Sequence, residues 1–135
     1  MTAKTSSDPA EVIRRINDAW EEGRTDAVLL HMHPEIEWLE PPETPDRAVV
    51  RGREAALSAL MMWLSTWAVY ENELRGISEH GDRVIVHFRQ RMVGPGSGVP
   101  VEGDLFMVWT VRDGLATRMA MFQSRDEAEA EAGVS

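Results

Sequence analysis

No cysteine occurs among the 135 residues, which excludes a disulfide framework and zinc–thiolate sites and fits a reducing compartment. No apolar run approaches the roughly 18 residues of a membrane span, and Met1 to Asp8 is polar rather than signal-like. A cytoplasmic, membrane-free protein is therefore expected. Basic residues are few, 14 against 23 acidic ones, giving a formal net charge of −9. A surface of that sign repels phosphate backbones and anionic lipid, so nucleic acid and membranes are not expected partners. Phosphate loop, nucleophile elbow and dinucleotide fingerprint are all missing. The one glycine-rich stretch, Gly94-Pro95-Gly96-Ser97-Gly98, joins two strand-like segments and reads as a hairpin loop. His31 and His33 have no third ligand nearby in sequence, so no metal is expected, and they read as helix-end histidines favoured by the helix dipole.

What is present is one domain, residues 1–135, with a disordered start expected over 1–7. Its length suffices to bury roughly two-thirds of the unfolded surface, and 43% of the residues are hydrophobic. Asp8-Pro9-Ala10-Glu11 opens a first helix with a capping aspartate and proline at the first helical position. Val12, Ile13, Ile16, Ala19 and Trp20 give that helix an apolar face, and Gly23 stops it. A short helix over Asp26–His31 and a strand over Ile36–Glu40 follow. Pro41-Pro42-Glu43-Thr44-Pro45 cannot continue the strand, since proline donates no ladder hydrogen bond, and is expected to loop over a cavity. A third helix runs from Arg53 to about Trp67, with Leu57, Leu60, Met61 and Leu64 on one face. Strands are predicted over Val69–Ser78, Arg83–Val93, Leu105–Arg112 and Leu115–Phe122. Asp113-Gly114 supplies the positive φ angles of a two-residue hairpin, and Ser124 with Glu127 forms a capping box for a terminal helix. Helices followed by a long sheet is an α+β order.

Several of these segments carry a family resemblance. Val108-Trp109-Thr110-Val111-Arg112-Asp113-Gly114 and Met121-Phe122-Gln123-Ser124-Arg125-Asp126-Glu127-Ala128 resemble the C-terminal half of SnoaL-like proteins, in the nuclear-transport-factor-2 / ketosteroid-isomerase superfamily. Glu22 to Asp26, then His33 to Trp38, is similar to the family's helix-to-strand passage, and Arg51-Gly52-Arg53-Glu54 to the start of its third helix. The resemblance covers nearly the whole chain. It implies a cone-shaped fold: a curved antiparallel sheet wrapped around a long N-terminal helix, with a pocket at the open end. It implies a cofactor-free protein acting on a small hydrophobic molecule, by proton abstraction next to a carbonyl as in polyketide cyclases, and a homodimer paired through the outer sheet face. Binding modules without catalysis and limonene-epoxide-hydrolase-like water activation are the other activities the superfamily implies.

Candidate site residues follow from strand alternation and from that resemblance. If Trp38 points inward, so does Glu40. Glu40-Pro41 falls where ketosteroid isomerases place an aspartate–proline base, and burial against apolar walls raises a carboxylate's pKa toward that role. A solvated glutamate at a strand end is the alternative. The family's two oxyanion donors are replaced by Ile16 and Met107, and one such donor is worth about 3–4 kcal/mol. Arg118, sharing a face with Ala120 and Phe122 that the resemblance turns inward, is the expected electrophile, or a structural partner of Glu40. Gln90 shares the inner face of its strand with Val84, Val86 and Phe88 and is expected to orient a carbonyl, Asn72 less so. His87, Arg89 and Arg91 take the outer face. The expected substrate-binding set is Ile16, Trp20, Trp38, Met61, Phe88, Gln90, Met107, Trp109 and Phe122; Trp63 and Trp67 wall the same pocket or pack as core, and Tyr70 donates a hydrogen bond or, as the favoured reading, packs. Asp104 with Arg118 is a partial echo of an epoxide hydrolase set, although Asp104 and Met107 fall on opposite strand faces.

Overall fold

The computed structural model of the chain describes residues 8–44, 49–96 and 98–134. Segment 1–7, expected to be disordered, lies outside them, as do Pro45 of the predicted loop and Ser97 of the predicted hairpin. In chain order the elements are α1 (Pro9–Glu21), α2 (Thr25–Leu30), β1 (Met32–Leu39), β2 (Val49–Arg51), α3 (Arg53–Ser65), β3 (Val69–His80), β4 (Arg83–Val93), β5 (Pro100–Arg112), β6 (Leu115–Phe122) and α4 (Arg125–Ala132). The α+β order holds. No helix among the described residues is long and apolar enough to cross a membrane.

Helix α1 begins with Pro9 where its fixed φ and missing N–H cost nothing. Asp8 makes no side-chain cap. The orphan N–H of Ala10 instead reaches Glu79 Oε1 on β3, 3.3 Å away, so the helix start is tied to the sheet rather than to its own neighbour. Before α3, Gly52 adopts φ +99° and its N–H donates to Ile36 O at 2.8 Å, a backbone state closed to other residues without strain. Asp113 (φ +54°) and Gly114 (φ +80°) form the expected tight turn. Ser124 accepts the Glu127 N–H at 3.4 Å, starting α4.

The six strands form one sheet in the order β2-β1-β6-β5-β4-β3. Every junction is antiparallel except β1 with β6, which is parallel. The sheet is curved and does not close, with bulges between Leu74 and Gly76 on β3 and opposite Thr110–Val111 on β6. Its two faces bury separate clusters. On the inner face α1 places Val12, Ile13 and Ile16 against Val84, Val86, Trp109 and Met119. On the outer face α4 seats Ala128 and Ala132 over Ile85, Phe106, Val108, Ala120 and Phe122.

Ile36 is 0% exposed in the inner cluster, whereas Met62 on α3 is 70% exposed. Ile36→Ala is expected to cost about 2–5 kcal/mol of unfolding free energy, and Met62→Ala less than about 0.5 kcal/mol. Urea titration followed by circular dichroism measures both.

Candidate functional site

Along β4 the inner-face residues change character. Val84 and Val86 lie under α1, and Phe88, Gln90 and Met92 then line open space. On β5 the same passage runs backwards, from Val111 and Trp109 to Met107 and Leu105. That space is a cavity of about 470 Å³, within the range that holds small organic ligands. Its roof is α3, which presents Leu60, Trp63, Leu64 and, just beyond its end, Trp67. Pro41, Glu43 and Thr44 of the loop after β1 close one side, as the prolines led one to expect.

All five tryptophans of the chain line this cavity. Trp38 and Trp109 meet edge-to-face with centroids 6.1 Å apart, and Trp63 and Trp67 at 5.5 Å, geometries that ring quadrupoles favour. Glu40, partly buried, sits on the cavity wall where β1 ends, on the same side as Trp38. A second space of about 440 Å³ adjoins between α1 and β3 and shares Asn17, Trp20, Leu64, Tyr70, Asn72 and Phe88 with the first.

The polar groups of the wall are few and clustered. Gln90 Nε2 donates to Tyr70 Oη at 2.6 Å, and Trp63 and Asn72 stand near the same hydroxyl. Burial pushes the Tyr70 phenol above its ordinary pKa, against the pull of those partners, so it stays protonated through neutral pH. Asn17 Nδ2, Trp67 Nε1 and Trp109 Nε1 are buried N–H groups without a hydrogen-bond partner, each on a cavity-lining residue. Unsatisfied donors of this kind cost stability.

Of the expected binding residues, Ile16, Trp20, Trp38, Phe88, Gln90, Met107 and Trp109 line the cavity together with Glu40. Three expectations are overturned. Met61 is 49% exposed and absent from the wall, because α3 turns Leu60, Leu64 and Trp63 inward and Met61 lies about 100° away around the helix. Phe122 belongs to the outer cluster under α4. Arg118 is also on the outer face, where its Nε donates to Glu131 Oε2 at 2.9 Å and its Nη1 to Glu37 Oε1 at 3.0 Å. The extra residue at Thr117 reverses the alternation, so Ala116 points in and Arg118 out. Arg118 therefore does not pair with Glu40 through any such contact, and it ties α4 to β1.

Asp104 is on the outer face as well, bonded to His87 Nε2 at 2.9 Å and Arg89 Nη1 at 3.4 Å. The Asp104–Arg118 echo of an epoxide hydrolase is thus no site: neither residue reaches the cavity. His87 is held under α4, stacked on Phe106 at 4.4 Å with Arg125 bonding its Nδ1. His31 ends α2, but burial, and then the charge of Arg15, lower its pKa, opposite to the dipole effect expected of it. His33 lies within β1. Among the described residues no group of His, Asp and Glu is arranged to hold a metal ion. The sequence reading missed Asn17 and the Gln90–Tyr70 hydrogen bond. Asn17 follows Ile16 on α1, and no periodicity marks a polar residue beside an apolar face as facing a cavity.

Residues 13–119 match the SnoaL-like domain family. The chain belongs to that family. Solved structures share its fold at low identity. An NTF2-like protein from Burkholderia thailandensis E264 is 22% identical with a TM-score of 0.77, over 94% of this chain and 98% of that one. TerC, co-crystallised with polyporic acid, is 23% identical with a TM-score of 0.72, over 93% and 99%. A protein from Jannaschia sp. CCS1 that bears the name SnoaL-like polyketide cyclase is 20% identical with a TM-score of 0.74, over 98% and 95%. No curated protein matches the chain.

In this SnoaL-like protein Arg118 is expected to matter for stability alone. Arg118→Met is expected to cost about 1 kcal/mol and to leave affinity for a cavity ligand unchanged, as measured by thermal melts and ligand titration. The hydrogen bond from Arg51, then that from Arg118, lowers the Glu37 pKa, and the bond from His87 lowers that of Asp104. Their contributions are present above the ordinary carboxylate range and are lost as pH falls through the lowered values. Melting temperature should therefore drop below about pH 4, and less steeply in Arg118→Met.

Proposed function

We propose that this SnoaL-like protein is a cofactor-independent enzyme that removes a proton next to a carbonyl on a planar, aromatic-rich small molecule of polyketide type. The observation that carries the reading is the one carboxylate placed at a strand end among indoles: Glu40, with Trp38 beside it on the cavity wall. Edge-on and face-on indole surfaces suit a flat ring system, and a carboxylate at such a wall suits a base. The carboxylate takes the proton, the C–H electron pair becomes the new C=C bond as the carbonyl π pair moves onto oxygen, and an enolate forms. The proton then returns to another carbon, or the enolate carbon attacks a second carbonyl and the new alkoxide takes it. The polyketide cyclase name carried by the Jannaschia protein supports that substrate class, and TerC is co-crystallised with a small organic acid, polyporic acid.

The second reading is a module that binds such a molecule without transforming it. Ile16 and Met107 favour it, because they make the wall apolar where related isomerases hold donors. Solvent deuterium uptake by 1-tetralone and by linear diketones separates the two. The enzyme reading expects protein-dependent exchange that falls about 10²–10⁴-fold in Glu40→Gln. Exchange equal to buffer in both proteins, with binding retained, decides for the module.

A further inference from the structure

An enolate needs a hydrogen-bond donor at its oxygen, and neither Ile16 nor Met107 supplies one. The cavity wall carries a hydroxyl whose partners equip it for that task. Tyr70 opens β3 and stands where the two adjoining cavities meet. Gln90 Nε2 donates to its oxygen at 2.6 Å. Trp63 stands near the same oxygen. A phenol oxygen has two acceptor lone pairs and one proton. The Gln90 N–H takes one lone pair and turns the proton away from itself. An oxygen gathering negative charge is a strong acceptor for that proton. The N–H bond into the hydroxyl strengthens it further as a donor.

We propose that the Tyr70 hydroxyl donates the hydrogen bond that holds the ligand's carbonyl oxygen and the enolate formed from it, with Gln90 as the positioning residue. The assignment rests on reading the cavity as a carbonyl-binding site. Glu40 follows β1 and Tyr70 lies on β3, four strands away in the sheet order. Only the curvature of the sheet brings both to one cavity, so base and donor meet the ligand from different flanks. Tyr70 keeps its proton throughout: the proton leaving carbon goes to Glu40, the pair it leaves behind forms the enolate C=C bond, and the carbonyl π pair moves onto the oxygen bonded by Tyr70.

The probes are 1-tetralone and tetralin, which share a skeleton and differ at one carbonyl. Each is titrated into full-length wild type, Tyr70→Phe and Gln90→Leu, with binding read by tryptophan fluorescence. Tyr70→Phe is expected to weaken 1-tetralone about tenfold, the scale of one lost hydrogen bond to a buried oxygen, and to leave tetralin within about twofold. Gln90→Leu should act in the same direction by a smaller factor. Tetralin binding to each variant reports that its cavity is intact. Equal 1-tetralone affinity in wild type and Tyr70→Phe overturns the assignment and leaves the carbonyl-site reading standing. Failure of 1-tetralone to bind wild type overturns that reading and this assignment with it.

Discussion

The cavity exists because a helix is shorter than the strands it packs on. Helix α1 has 13 residues, about 20 Å at the α-helical rise. Strands β4 and β5 have 11 and 13 residues, about 35–45 Å when extended. A helix that covers one half of an inner sheet face leaves the other half bare. Curvature then folds that bare half toward α3, and the space between fills with indoles. The bond from Ala10 to Glu79 fixes the helix at one end of the sheet, and Glu40 stands on the wall of the space left at the other.

The two faces of the sheet do different work. The outer face is closed by α4 through small and aromatic side chains, and its charged residues are consumed in pairs: Arg118 with Glu37 and Glu131, Arg89 with Asp104. The inner face beyond α1 keeps buried donors without acceptors at Asn17, Trp67 and Trp109. A fold optimised only for stability would fill such a space or satisfy those groups. Retaining them on one wall while spending ion pairs on the other is the pattern of a scaffold that supports a site.

Much of this was legible in the chain. The Asp113-Gly114 turn, the Ser124 cap, the proline loop after β1 and the alternation of β4 are local signals, and local sequence sets them. Glu40 and Gln90 were legible because each lies on a strand whose other inward residues are plainly apolar. Arg118 was not. Both faces of β6 are buried, Met119 inward and Ala120 and Phe122 outward, so hydrophobic alternation carried no information about direction, and a bulge at Thr117 shifted the phase. Met61 failed for a related reason. Helix α3 buries only Ala56 fully, and its sequence is apolar nearly all round, so no periodicity told which stripe faced the cavity. Tyr70 became meaningful only once Gln90 on β4 was seen to bond its oxygen beside the cavity, which is a tertiary fact.

Leaving one wall of a cavity to β3 has a consequence for how molecules of this protein meet one another. Strand β3 ends the sheet with 12 residues, a length of unpaired backbone that offers a template for a strand from another chain. The bulge between Leu74 and Gly76 breaks the regular spacing of those backbone groups. Glu71, Glu73 and Arg75 add charge along the same stretch, and Glu79 is occupied with the start of α1. An incoming strand would have to match a kinked ladder and sit against a row of charged, solvated side chains. The irregularity that bends the sheet around its ligand space thus also guards against edge-to-edge polymerisation.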